Sequence, residues 1–195
     1  HDALPISVRP FLEIIGKSAT YLGEGCEARY MKIAVNMIIC SYLTIYGEVL
    51  SAGEGLGFGW EELNDLLESS NGGSPMLKDK GTLHRQRIWG SETALTSTAM
   101  KDLGFALQCA DSKGFSLPIT AMVWQYDRFM NYNPAYKTYS TFGTIGLLEN
   151  ITGVTAGSGA DESTKSVLTD SLVSITFMLS MEALHFCREN GISTE

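Results

Sequence analysis

The sequence predicts a mainly α-helical domain. Apolar residues recur at three- and four-residue intervals over long stretches, period-two alternation of β-branched residues is almost absent, and breaks rich in glycine or proline separate the periodic stretches.

Taken in order, residues 11–15 form a short helical patch and residues 19–22 a strand-like tetrad. A helix end and a lone strand have nothing to pair with, so the chain is expected to begin inside a larger structure. From about 27 to 53, Tyr30, Ile33, Ala34, Met37, Ile38, Tyr42, Ile45 and Val49 trace one helical stripe. The glycines from Gly53 to Gly59 stop it. A short amphipathic helix over 60–68 leads into a loop at 69–75, and residues 76–90 read as irregular. Helices are then predicted over 96–113, after Pro118, over 141–150 and, longest of the late ones, over 161–190. Pro118 suits a first helical turn, where its missing N–H costs nothing.

Composition narrows the function. The 195 residues carry 44% hydrophobic and 18% charged residues, as a folded chain does. A net charge of −8 argues against nucleic acid and against an anionic membrane, both of which need a basic patch. Lys78, Lys80, Arg85 and Arg87, the densest cations, read as a solvated loop. The apolar stretch over 33–50 is broken by Asn36, Ser41, Thr44 and Glu48 and reads as a buried helix, not a membrane span. Cys26, Cys40, Cys109 and Cys187 lack paired spacing, and the three histidines, His1, His84 and His185, are scattered. No metal site is expected. A reducing compartment is, either the cytoplasm or the mitochondrial matrix.

An internal repeat has an offset of 134 residues: Gly23, Gly25, Glu48, Leu50 and Gly57 map onto Gly157, Gly159, Glu182, Leu184 and Gly191. Each copy has two glycines, a long apolar helix with a late Glu, and a closing Gly, the pattern of a duplicated helical unit.

Lys32 and Asn36 lie four apart and share a helix face. A lysine on an apolar helix can be partly desolvated and suited to proton exchange, and a neighbouring amide can orient a hydroxyl or carboxylate. Spacing alone favours the plainer reading, a snorkelling lysine beside a surface amide. The run from Gly23 to Ala28 formally matches GxGxxA, but Glu24 and Glu27 stand where a pyrophosphate would sit, so a helix-entry turn is the better reading. The stretch from Gly157 to Lys165 lacks the glycine a phosphate loop needs, and Asp161 and Glu162 suit a helix start. Lys101 and Asp102, taken alone, read as a surface charge pair.

Together these segments resemble the C-terminal helical domain of the β-hydroxyacid dehydrogenase family, which includes 3-hydroxyisobutyrate dehydrogenases and tartronate semialdehyde reductases. The stretch from Tyr21 to Asn36, with its Lys-x-x-x-Asn, is similar to the entry of the family's long interdomain helix. Gly47-Glu-Val-Leu50 and Met181-Glu-Ala-Leu184 resemble its later Ala-Glu-Ala-Leu, and Met100-Lys-Asp-Leu103 through Pro118 resembles its Lys-Asp-Leu helix and the helix after it. Two departures stand out. Cys26-Glu27-Ala28 replaces the family's Gly-x-Gly, and the Rossmann half is absent from these residues.

The resemblance implies a fold like the C-terminal domain of 6-phosphogluconate dehydrogenase, with a partial second copy of its long helix. Residues 1–22 would be the tail of the Rossmann domain and its link, 23–153 the substrate and dimerisation domain, and 154–195 the start of a degenerate second copy, with Ser166 and Asp170 at the positions of Lys32 and Asn36. It further implies an NAD- or NADP-dependent oxidoreductase acting on a small hydroxyacid, as a homodimer. Lys32 would be the catalytic acid/base, Asn36 would hold substrate, and Lys101 would reach a cofactor bound mainly by the missing domain. The fragment by itself would not turn over. The alternative is a catalytically silent helical dimerisation scaffold of the same fold.

Overall fold

The computed structural model describes residues 3–90, 96–153 and 161–193. Helix α1 spans Ala3–Ile15, α2 Glu27–Gly55, α3 Trp60–Ser69, α4 Pro75–Arg85, α5 Thr96–Lys113 and α6 Pro118–Tyr132. A 3-10 turn at Thr141–Gly143 leads into α7, Thr144–Thr152, and α8 covers Glu162–Glu189. Among the described residues the sole β pairing is one antiparallel bridge between Gly90 and Tyr139.

The long helix α2 is the axis, and two apolar clusters lie along it. Near its start, Ile33, Ala34 and Met37 pack with Leu103, Ala106 and Ala110 of α5, Val123 of α6, and Phe186 and Cys187 of α8. Near its end, Tyr42, Ile45, Tyr46, Val49 and Leu50 pack with Leu63 and Leu67 of α3, Leu77 of α4, Ile145 of α7, and Leu168, Leu172 and Leu179 of α8. The start of α2 therefore meets the end of α8, and the two helices run antiparallel. Each fully buried Leu, Ile or Phe contributes roughly 1.5–3 kcal/mol, so these stripes dominate the stability of the fold.

Local chemistry sets the helix ends. Asp161 caps α8 by accepting from the Ser163 N–H at 3.1 Å. Glu182, buried on α8, caps α6 from outside: it accepts from the Ile119 N–H at 2.6 Å, the Thr120 N–H at 3.0 Å and the Thr120 hydroxyl at 2.8 Å. Those amides would otherwise be orphaned at a helix start. The repeat's closing glycines, Gly57 and Gly191, end α2 and α8 with positive φ, but Gly114 ends α5 in the same way, so this glycine is a property of helix stops in general. Gly157 and Gly159 lie outside the described residues.

Three expectations are corrected. The tetrad at 19–22 is not a strand, and among the described residues it has no pairing partner. Residues 76–90 are largely helical, not irregular: Ser74 accepts from the Met76 N–H at 3.3 Å, Pro75 opens α4, and Leu77, Gly81 and His84 form its buried face. Nor do Arg85 and Arg87 sit on a solvated loop. Arg85 pairs with Asp65 at 2.7 Å, and Arg87 pairs with Glu149 at 2.8 Å and the buried Glu54 at 3.5 Å. Arg87 holds φ of 55° just past the end of α4, a left-handed conformation costing about 1–2 kcal/mol outside glycine. Its two carboxylates and its place 5.3 Å over the Trp60 ring offset that strain. In addition, Gly53 is still helical, and the absence of a side chain there admits Leu63, whose Cδ2 would lie 2.5 Å from an added Cβ.

Candidate active site

The site begins with the close approach of α5 to α2. Ala99, Leu103, Ala106 and Ala110 form the buried stripe of α5, and three alanines in four bring its backbone near α2. Asp102 lies beside this stripe. Its side chain is 5% exposed, and it faces the Lys32–Asn36 side of α2. Asp102 Oδ2 accepts a short hydrogen bond from the Lys32 ammonium and a second from Asn36 Nδ2 at 2.6 Å. Lys101 Nζ lies 3.4 Å from Oδ1. One carboxylate thus joins the three residues singled out in the sequence.

Burial alone would raise the Asp102 pKa. The hydrogen bonds from Lys32 and Asn36, with the charges of Lys32 and Lys101, outweigh it and hold the carboxyl below its usual range. The Lys32 side chain is 52% exposed. It opens on a cleft of about 340 Å³ lined by Arg29, Lys32, Ile33, Lys101, Asp102 and Phe105. Three cations around one buried carboxylate leave the cleft positive within an acidic chain, a setting for an anionic ligand.

From the other side, α6 braces α5. The Trp124 indole N–H donates to the Met100 carbonyl at 2.9 Å, and an added Cβ on Gly104 would lie 3.1 Å from that indole nitrogen. Asp127, one turn further along α6, is fully buried, and neither carboxylate oxygen has a hydrogen-bond partner among the described residues. Burial pushes its carboxyl up to about 8. Cys40 lies within electrostatic reach of both acids; burial first, then the charges of Asp127 and Asp102, push its thiol up to about 12.

The entry to α2 is the turn expected from its glycines. The Glu27 carboxylate folds back onto it, accepting the Gly25 N–H at 2.8 Å, and an added Cβ on Gly23 would lie 2.7 Å from Glu27 Cδ. The turn is therefore filled by the chain's own acid. Ser166 and Asp170, the counterparts of Lys32 and Asn36 on α8, are exposed, and neither is hydrogen-bonded to Asp102. Lys165 pairs with Glu62 at 2.8 Å. Asp102, read from the sequence as half of a surface charge pair, is instead buried. The legible signal was an acid three residues after Ala99 and four before Ala106, beside the apolar stripe and not opposite it.

An all-helical domain with a lysine, an amide and a second lysine gathered on one buried carboxylate, beside an open cationic cleft, is suited to binding an anionic substrate and moving a proton. A family model described as "NAD-binding of NADP-dependent 3-hydroxyisobutyrate dehydrogenase" matches residues 26–134. The chain is 30% identical over 134 residues to glyoxylate/succinic semialdehyde reductase 2, chloroplastic, of Arabidopsis thaliana, covering 69% of this chain and 35% of that protein. It is 27% identical over 128 residues to 2-(hydroxymethyl)glutarate dehydrogenase of Eubacterium barkeri, covering 64% and 41%. It is also 31% identical over 109 residues to the cytokine-like nuclear factor N-PAC of Anopheles gambiae, covering 56% and 19%. The chain belongs to the β-hydroxyacid dehydrogenase family, whose members are NAD(P)-dependent oxidoreductases. It spans well under half the length of these relatives.

Proposed function

We propose that the full-length protein interconverts a small β-hydroxyacid and its semialdehyde or keto form with NAD or NADP, in the cytoplasm or the mitochondrial matrix, with Lys32 as general acid/base. The observation that carries this reading is the convergence of Lys32, Asn36 and Lys101 on Asp102 at the cleft. In the reductive direction Lys32 Nζ gives a proton to the substrate oxygen, and in the oxidative direction it takes one back. Asp102 positions that amine. Asn36 holds the substrate, by the amide hydrogen not directed at Asp102 or by its carbonyl oxygen.

Lys101 fits a cofactor contact: its side chain is 69% exposed at the cleft rim and only loosely matched by Asp102. The nicotinamide, when bound, supplies or accepts the hydride. The test is oxidation of NADH and NADPH by the full-length protein against a panel of semialdehydes that includes glyoxylate and succinic semialdehyde. Lys32→Ala is expected to lose about 10²–10⁴-fold in kcat with cofactor affinity unchanged. A mutant as active as wild type would remove Lys32 from the chemistry.

The second reading is a catalytically silent scaffold. It is favoured by Glu27, whose carboxylate occupies the turn where the family carries Gly-x-Gly. Wild-type protein inert across the panel would support it.

A further inference from the structure

The cations of the cleft differ in what they face. Lys32 is bonded to Asp102, and Lys101 lies beside the same carboxylate at the rim. Arg29 lines the cleft with them, is exposed, and among the described residues has no carboxylate partner. The acid nearest to it along α2, Glu27, is bent back onto the Gly25 N–H. Arg29 is also in line with the groups that carry the chemistry. Arg29, Lys32 and Asn36 follow one another on α2 at steps of three and four. Arg29 and Asn36, seven apart, therefore project within about 20° of each other, roughly 10.5 Å apart along the axis, with Lys32 between them. Ile33, 4% exposed, and Phe105 give the cleft an apolar wall beside this row.

We propose that Arg29 binds a second carboxylate, so that the substrate is a dicarboxylic β-hydroxyacid laid along α2. The inference rests on the proposed dehydrogenase reading, which puts the reacting oxygen at Lys32 Nζ. From that point one carboxylate extends toward Asn36 and the other toward Arg29, and the carbon chain lies against Ile33 and Phe105. The planar guanidinium fits a carboxylate through two parallel N–H donors, and a monocarboxylate held at Asn36 would leave it facing no anion.

Oxidation of 3-hydroxyisobutyrate and of 2-(hydroxymethyl)succinate by the full-length protein, with NAD and with NADP, tests it. The two hydroxyacids differ only in a methyl group against a carboxymethyl group. The wild type is expected to favour the dicarboxylate about ten- to a hundredfold in kcat/KM, as one hydrogen-bonded ion pair allows. Arg29→Gln should abolish that preference through the KM for the dicarboxylate. Arg29→Lys should restore part of it, because it keeps the charge and loses the fork. Equal kcat/KM values in the wild type, a preference retained by Arg29→Gln, or a loss that falls on the KM for the cofactor overturns the proposal. Calorimetric titration of the same proteins with the two hydroxyacids separates it from the catalytic reading. Tighter binding of the dicarboxylate through Arg29, by a protein that turns over neither compound, keeps the subsite and sinks the dehydrogenase. Turnover of both without preference does the reverse.

Discussion

Asp102 on α5 and Asp127 on α6 are both buried and both near Cys40, yet they are held in opposite ways. Asp102 takes hydrogen bonds from Lys32 and Asn36 and is kept ionised. Asp127 has no partner among the described residues and is pushed up to about 8. The difference teaches that burial by itself does not decide a carboxyl's state. A neighbouring ammonium and amide hold one acid ionised at neutral pH, and their absence keeps the other protonated there.

The largest expected effect comes from removing the unpartnered acid's titration. In the folded state Asp127 keeps its proton up to about pH 8, while in the unfolded chain it releases it near pH 4. Folded protein then binds more protons across that window, so stability falls as pH rises, by about 1.4 kcal/mol per pH unit. Asp127→Asn should remove this slope, gaining most over wild type near pH 8 and little near pH 4. Urea denaturation at a series of pH values reads it, and parallel curves for the two proteins would mean that Asp127 is solvated in solution.

Asp102→Asn is expected to come next. It leaves Lys32 without its anion and should cost about 2 kcal/mol, the buried-pair penalty reduced because the lysine is half exposed. The wild-type contribution has the opposite sign of pH dependence from Asp127: it is complete above the ordinary carboxylate range and is lost as pH falls through the lowered folded value. Flat acid-limb stability in the wild type would contradict the pairing. Asn36→Ala should have the smallest effect, about 1 kcal/mol for one hydrogen bond to a buried anion, with KM raised more than kcat is lowered. An equal fall in kcat and kcat/KM would instead put Asn36 in the transition state.

The long helices are legible in the sequence because an apolar stripe of ten or more residues admits few other readings, whereas Lys32, Asn36 and Lys101 are singled out by the resemblance of their motifs to the family's, spacing alone favouring a surface reading. What escaped has a physical cause in each case. In α4 the polar stretch hides a buried face made by Leu77, Gly81 and His84, of which only one is a conventional core residue. Residues 19–22 have strand-like composition but no neighbouring strand among the described residues, and composition cannot supply one. Asp102 reads as surface and Asp127 goes unremarked because charged residues are counted as surface. Asp127 follows Ile119 and Val123 at steps of four and precedes Met130 by three, which places an acid on the inward stripe of α6.

The Trp124 indole seated on Gly104 and bonded to the Met100 carbonyl works as a detent. A helix slipping by one residue turns each side chain by about 100°, enough to swing Lys101 off the rim and Asp102 away from its two donors. Rotational register at the cleft is thus fixed by an aromatic ring and a missing methyl group on helices that carry none of the α2 chemistry.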